Sequence, residues 1–135
     1  MDVDGDGDGD VEATFRVARP ITGHAQLPTP RRYRCAIEIV SVAAQIASQV
    51  PRGQAELKEQ LRRAAFSVPL NLAEGAGRTS PADAARHYAI ARGSAMECAA
   101  VLDVLSALDA VPEAHHRRGL ELLARLVAML TKMCR

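Results

Sequence analysis

Tryptophan is absent from this 135-residue chain, and tyrosine and phenylalanine occur only twice each. A core without large rings must close through small aliphatic side chains, here mostly Ala, Leu and Val. That suits helices packed at short separation and suits a β-sandwich poorly, because strands favour aromatic and β-branched residues. No stretch alternates apolar and polar residues over a useful length. No apolar run approaches the roughly 18 residues that a membrane span needs. The acidic, glycine-rich start is the opposite of a signal peptide, so a cytoplasmic location is expected. Cysteine is scarce: Cys35, Cys98 and Cys134 stand far apart, with neither CxxC nor Cys/His ligand spacing. Such a set reads as reduced, buried thiols rather than a disulfide framework or a metal site. No cofactor motif is present, and no cofactor is expected.

The formal net charge of +1 conceals an uneven distribution. Residues 1–12 carry five Asp and one Glu with no Lys or Arg, whereas 13–135 hold 17 basic against 10 acidic residues, a net of +7. Fifteen of the basic residues are Arg. Such a body permits phosphate-rich partners, although the same charge spread over several helices is also an ordinary soluble surface. The segment 1–30 reads as an acidic disordered tail followed by an irregular lead-in broken by Pro20, Gly23, Pro28 and Pro30. Its alternating Asp invites a calcium-loop reading. The EF-hand template laid from Asp2 puts Ala13 at the twelfth position, and laid from Asp4 it puts Phe15 there. Neither supplies the bidentate Glu, so a solvated acidic tail is the favoured reading.

From Arg31 onward the pattern is helical, and residues 31–135 are expected to form one domain. Ala36, Ile39, Ala43, Ile46 and Val50 recur at spacings of three and four, predicting a helix over about 31–49. Leu57, Leu61, Ala64, Val68 and Leu72 form a second stripe, with Gly75 and Gly77 expected to stop it. Pro69 lies within that stripe and removes one backbone donor, so a kink is expected. Ser80, Pro81 and Asp83 read as the cap, first position and capping-box acid of a third helix. Its stripe is Tyr88, Ala91, Ala95, Cys98, Leu102 and Leu105. A fourth follows Pro112 with Leu120, Leu123, Val127, Leu130 and Cys134. Each stripe needs a partner to cover it and the links are short. The predicted fold is therefore an all-α, up-down antiparallel four-helix bundle.

One stretch departs from ordinary core. Asn71 and Glu74 stand three residues apart beside Pro69, and Arg92, Gly93, Ser94 and Glu97 fall within two turns of the third helix. Asn71 follows the apolar stripe closely enough to face inward, where its amide needs partners. A mid-helix glycine costs about 1 kcal/mol relative to Ala, so Gly93 points to close approach by another backbone. Asn71, Glu74, Arg92, Ser94 and Glu97 are accordingly read as a buried polar network bridging the second and third helices. The competing reading is a catalytic cluster. Two carboxylates near an Arg can do acid-base work, but neither a nucleophile nor a paired His accompanies them, so no enzyme activity is expected.

The run Arg63-Ala64-Ala65-Phe66-Ser67-Val68-Pro69-Leu70-Asn71-Leu72-Ala73-Glu74-Gly75, followed by Ala91-Arg92-Gly93-Ser94-Ala95-Met96-Glu97, resembles the signature of the four-helix bundle proteins named after 23S rRNA intervening sequences. That pattern is R-A-x-x-S-[IV]-P-x-N-[IL]-A-E-G, then A-R-G-S-x-x-E. Every fixed position is met here, and the likeness covers about residues 31–135. It implies a homo-oligomeric bundle, with a ring of five as the expected form. More distantly the chain is similar to the accessory protein of diversity-generating retroelements, a basic pentameric bundle that engages a reverse transcriptase and nucleic acid. The resemblance implies an RNA connection without supplying a biochemical activity.

The residues available for nucleic-acid contact are Arg31, Arg32 and Arg34 at the start of the first helix, Lys58, Arg62 and Arg63 on the second, and Arg117 and Arg118 on the fourth. If assembly aligned them, a ring would present a repeated basic belt. Aromatics that stack unpaired bases are nearly missing, and Tyr33, Phe66 and Tyr88 read as core or interface residues. His115 and His116 are adjacent, hence about 100° apart on a helix, and cannot share a metal. The functional expectation is a non-enzymatic adaptor for RNA, a ribonucleoprotein or a reverse-transcriptase partner. Its alternative is a purely protein–protein structural module.

Overall fold

The computed structural model describes residues 30–134, so the acidic tail, the lead-in and the calcium-loop registers lie outside the described residues. Four α-helices follow one another: α1 Arg31–Gln49, α2 Ala55–Ala76, α3 Pro81–Ala107 and α4 Glu113–Met133. A single 3-10 turn, Arg52–Gln54, leads into α2, and no strand occurs among the described residues. Each helix packs on its neighbours in the chain, and α1 closes against α4. The all-helical bundle expected from periodicity is what forms.

The stripes explain the packing. Ala36, Ile39, Ala43 and Ile46 of α1 are buried together with Leu61, Ala64, Val68 and Leu72 of α2. Ala91, Ala95, Cys98, Leu102 and Leu105 of α3 complete that cluster with Leu122, Leu123, Leu126 and Leu130 of α4. On α4 the buried face is rotated from the expected one. Leu123 and Leu130 are buried as expected, but Leu122 and Leu126 join them at 1% and 0% exposure, whereas Leu120 and Val127 sit at the margin. Both sets have helical spacing, and only contact with α1 and α3 selects between them.

Helix ends follow local chemistry with two departures. Ser80 caps α3 by accepting the Asp83 N–H at 3.4 Å, with Pro81 at the first helical position. Asp83 contributes only that N–H, and the return bond of a full capping box is not formed among the described residues. Gly75 does not stop α2. It is buried inside the helix, where an added Cβ would lie 2.5 Å from Tyr88 Cε1, and the helix ends one residue before Gly77. The missing side chain there admits the tyrosine ring.

The α3–α4 link is a Schellman turn: Ala110 N–H donates to Leu105 O at 2.8 Å and Asp109 N–H to Ser106 O at 3.1 Å. Asp109 occupies the left-handed position usually given to glycine, with φ 51°. Asp and Asn visit this region more readily than other non-glycine residues.

Candidate functional site

The polar residues of α2 and α3 meet along their shared seam. Ser67, Asn71 and Glu74 recur at four and three residues, which places them on one face of α2, and Arg78 follows just beyond the end of the helix. Ser67 and Ser94 hydroxyls are 2.8 Å apart. The Asn71 amide donates to Ser67 O at 2.9 Å and to Ser67 Oγ at 3.1 Å. Its carbonyl oxygen lies 3.3 Å from Nδ1 of His87, so that nitrogen carries the proton. His87 is the buried polar side chain of the core, 8% exposed. Its Nε2 is buried without a hydrogen bond, with Glu74 Oε2 3.5 Å away. Arg78 closes the series by donating to Glu74 Oε2 at 2.7 Å. That hydrogen bond, then the Arg78 charge, holds the Glu74 carboxyl below its ordinary range, with a smaller pull from His87.

Three of the five expected network members, Asn71, Glu74 and Ser94, therefore come together, joined through Ser67 and His87. The other two do not. Arg92 points the opposite way around α3 and donates from Nε to Thr131 Oγ1 at 2.8 Å, tying α3 to α4. Glu97 is exposed and makes no ion pair or hydrogen bond among the described residues. The reason is angular: at 100° per residue, Arg92 is about 160° around the helix from Ser94. His87 was overlooked as a site residue, although extending the α3 stripe back from Ala91 by four residues reaches it.

The seam supplies little for covalent chemistry. The two serines bond to each other and to an amide, and neither hydroxyl meets an imidazole or carboxylate among the described residues. The thiols are poor nucleophiles, since the thiolate is the reactive form. Burial, then Glu97, pushes Cys98 up to about 12. Cys35 is also raised, by burial and then Glu38, against the pull of Arg125, Arg31 and Arg118. Among the described residues no three His, Cys, Asp or Glu gather as a metal site. A gap of about 10 Å³ among Ile46, Leu61, Cys98, Leu102, Gly119 and Leu123 has room for about one water probe.

The basic residues divide into engaged and free. Arg62 lies over the Phe66 ring at 5.8 Å, Arg63 pairs with Glu59 at 3.3 Å, and Arg117 pairs with Glu113 at 3.2 Å. Arg31, Arg34 and Arg118 are exposed without ion-pair partners among the described residues, while Arg32 and Lys58 are half-buried. Arg125, not singled out from sequence, joins Arg31 and Arg34 in lining a groove between α1 and α4. Its signal was present: it stands seven residues, two helical turns, beyond Arg118. Of the adjacent histidines, His116 bonds Asp103 at 2.9 Å and His115 is half-buried, so they diverge as helix geometry requires.

A sequence model described as 23S rRNA-intervening sequence protein matches residues 31–132, from the first residue of α1 almost to the end of α4. The chain belongs to that family. Among curated proteins none matches it significantly in sequence. In this member of the 23S rRNA-intervening sequence proteins, Ser67, Asn71 and Glu74 of the first motif and Ser94 of the second lie along one seam, and Gly75 receives Tyr88. No helix among the described residues is long and apolar enough to cross a membrane.

Proposed function

We propose that this chain is a non-enzymatic bundle that assembles with copies of itself and serves as an adaptor for RNA, or for a ribonucleoprotein or reverse-transcriptase partner. The observation that carries the assembly half is the outer face of α3. Ile90, Gly93, Glu97, Ala100, Val104 and Leu108 recur at three and four residues and are all exposed, with Ile90, Val104 and Leu108 at 45%, 45% and 51%. Most helices of a soluble monomer present a polar outer face, whereas α3 exposes apolar side chains among its charged ones. Phe66 and Leu70 add exposed apolar surface on α2, at 42% and 65%. Surface of this kind marks an interaction site.

Gly93 fits the same reading. An added Cβ there meets nothing within 4 Å, so the close approach expected of it does not occur inside the chain. Its place between Ile90 and Glu97 instead leaves room for a helix of a second copy. A ring of five is the assembly we propose. The RNA half draws on the family's name and on the arginine-rich surface of the bundle. Light scattering should give a mass several times 14.5 kDa, and a monomer across the micromolar range would sink the assembly. Fluorescence anisotropy with single-stranded RNA should show binding that weakens steeply with salt. No binding at low salt would remove the RNA role. The same apolar stripe favours the purely protein–protein reading, for which a stable partner complex insensitive to nuclease would be the sign.

A further inference from the structure

We infer that the groove between α1 and α4 is where this bundle takes the phosphate backbone of single-stranded RNA, an inference that rests on the RNA half of the proposed function. The groove measures about 220 Å³ and is lined by Arg31, Arg34, Cys35, Glu38 and Arg125. Arg31 of α1 and Arg125 of α4 line the groove from two helices, and the charge of Arg118, which does not line it, also acts on the Cys35 thiol. Arg34 lines the same groove. None of these four arginines has a carboxylate within ion-pair distance among the described residues. Elsewhere Arg62, Arg63, Arg78 and Arg117 each hold a ring or a carboxylate four residues away, whereas Arg52, Arg86 and Lys132 are exposed without an ion pair among the described residues but do not line this groove.

Every charged group facing the groove enters the balance. Glu38 lines it, and Glu121 stands on α4 within one turn of both Arg118 and Arg125. The lining itself sets three guanidinium groups, Arg31, Arg34 and Arg125, against one carboxylate, Glu38, a net of +2, and beyond it the charges of Arg118 and Glu121 cancel. The first turn of α1 carries no acid, so the partial positive charge of its free N–H groups adds to the arginines, whereas α2, α3 and α4 each place an acid there.

The residue type narrows the ligand. A guanidinium is a planar fork that matches phosphate oxygens two at a time and, being weakly hydrated, gives up water more readily than an ammonium. The lining holds no aromatic side chain, so nothing in the groove stacks on a base. Recognition is then of backbone charge, tolerant of sequence and sensitive to salt. An acidic peptide offers the same charge sign, but its carboxylates are spaced by side chains rather than set in a continuous file of phosphates.

The test compares two double variants of the full chain, Arg34→Gln/Arg125→Gln in the groove and Arg62→Gln/Arg63→Gln on α2, each removing two exposed positive charges. The probe is a fluorescent mixed-sequence single-stranded RNA, titrated over a salt series, with unlabelled polyaspartate as competitor. The groove variant should bind roughly tenfold more weakly, with the slope of log K against log salt shallower by about 1.4, or about 0.7 per lost contact. The α2 variant should stay within about twofold of wild type. Equal losses in both variants, or a loss confined to the α2 variant, would overturn the groove while leaving RNA binding in place. Displacement by polyaspartate as readily as by unlabelled RNA at matched charge would reassign the groove to acidic protein segments. Failure of the wild-type chain to bind RNA at all would remove the RNA reading itself and the groove with it. Circular dichroism melts of both variants control for folding.

Discussion

The α2–α3 side of the bundle and the α1–α4 side are unfinished in different ways. On the first, polar groups turn inward and pair through Ser67, Asn71, His87 Nδ1 and Ser94, with His87 Nε2 left without a hydrogen bond, while apolar side chains such as Leu70 and Val104 are left outside. On the second, the inner faces are ordinary aliphatic core and the exposed groups are arginines without partners. Buried polar groups that pair internally specify how two helices register. Exposed apolar stripes and unpaired guanidinium groups instead look outward for something to cover or neutralise them. The inward residues of the family motif therefore mark architecture, while its outward residues Phe66, Leu70 and Gly93 belong to the exposed apolar surface.

The strongest way to break this contrast is to charge the apolar stripe. Val104→Lys, at an exposed position of α3, should leave helix content intact yet weaken assembly by about a hundredfold or more, read as a fall in mass toward 14.5 kDa. Unchanged mass would show that the stripe faces solvent. Next in size is the inner seam. Asn71→Leu deprives Ser67 and the buried His87 Nδ1 of their partner and should destabilise the fold by about 1–3 kcal/mol in urea unfolding.

The two glycines sharpen the comparison further. Gly75→Ala drives a Cβ against Tyr88 at 2.5 Å and should cost about 1–3 kcal/mol. Gly93→Ala meets nothing within 4 Å and should raise the intrinsic stability of α3 by up to about 1 kcal/mol while loosening the assembly. A matched loss of folding stability in both variants would erase the distinction between the two faces.

The smallest effect concerns pH. Because Arg78 holds the exposed Glu74 carboxyl below its ordinary value of 4.5, its contribution is complete above that pH and fades as pH falls through the lower folded-state value. Glu74→Gln should therefore lower the neutral melting temperature slightly, because the carboxylate is exposed, and the difference from wild type should vanish as pH falls through the folded-state value. A loss at neutral pH as large as that of Asn71→Leu would mean that Glu74 belongs to the buried seam.

Much of this was legible along the chain. The stripe of α1 predicted both its ends, and Ser80-Pro81 predicted where α3 starts, because caps and apolar periodicity are local properties of a helix. The S-x-P-x-N-x-x-E-G run showed that α2 carries something besides core. It did not show that His87 would be the partner of Asn71 or that Arg92 would turn to Thr131. Those pairings depend on rotation of α3 about its axis, and a helix of mixed Ala and Leu offers several rotations of similar apolar content. The same ambiguity displaced the α4 stripe by part of a turn. Gly75, expected to stop α2, instead receives Tyr88 inside it, since a glycine's neighbours in space cannot be read from its neighbours in sequence.

What the sequence determined by itself was the number of helices, their extent from Arg31 onward, and the family, since each follows from spacing and residue type within a short window. Only the tertiary structure decided which polar groups are satisfied, that Gly75 and Gly119 rather than Gly93 are points of close approach within the chain, and that Arg125 lines one groove with Arg31 and Arg34. These are distances between residues far apart in the chain. They depend on how each helix is turned against its neighbours, and the energy of packing the whole core selects that turn.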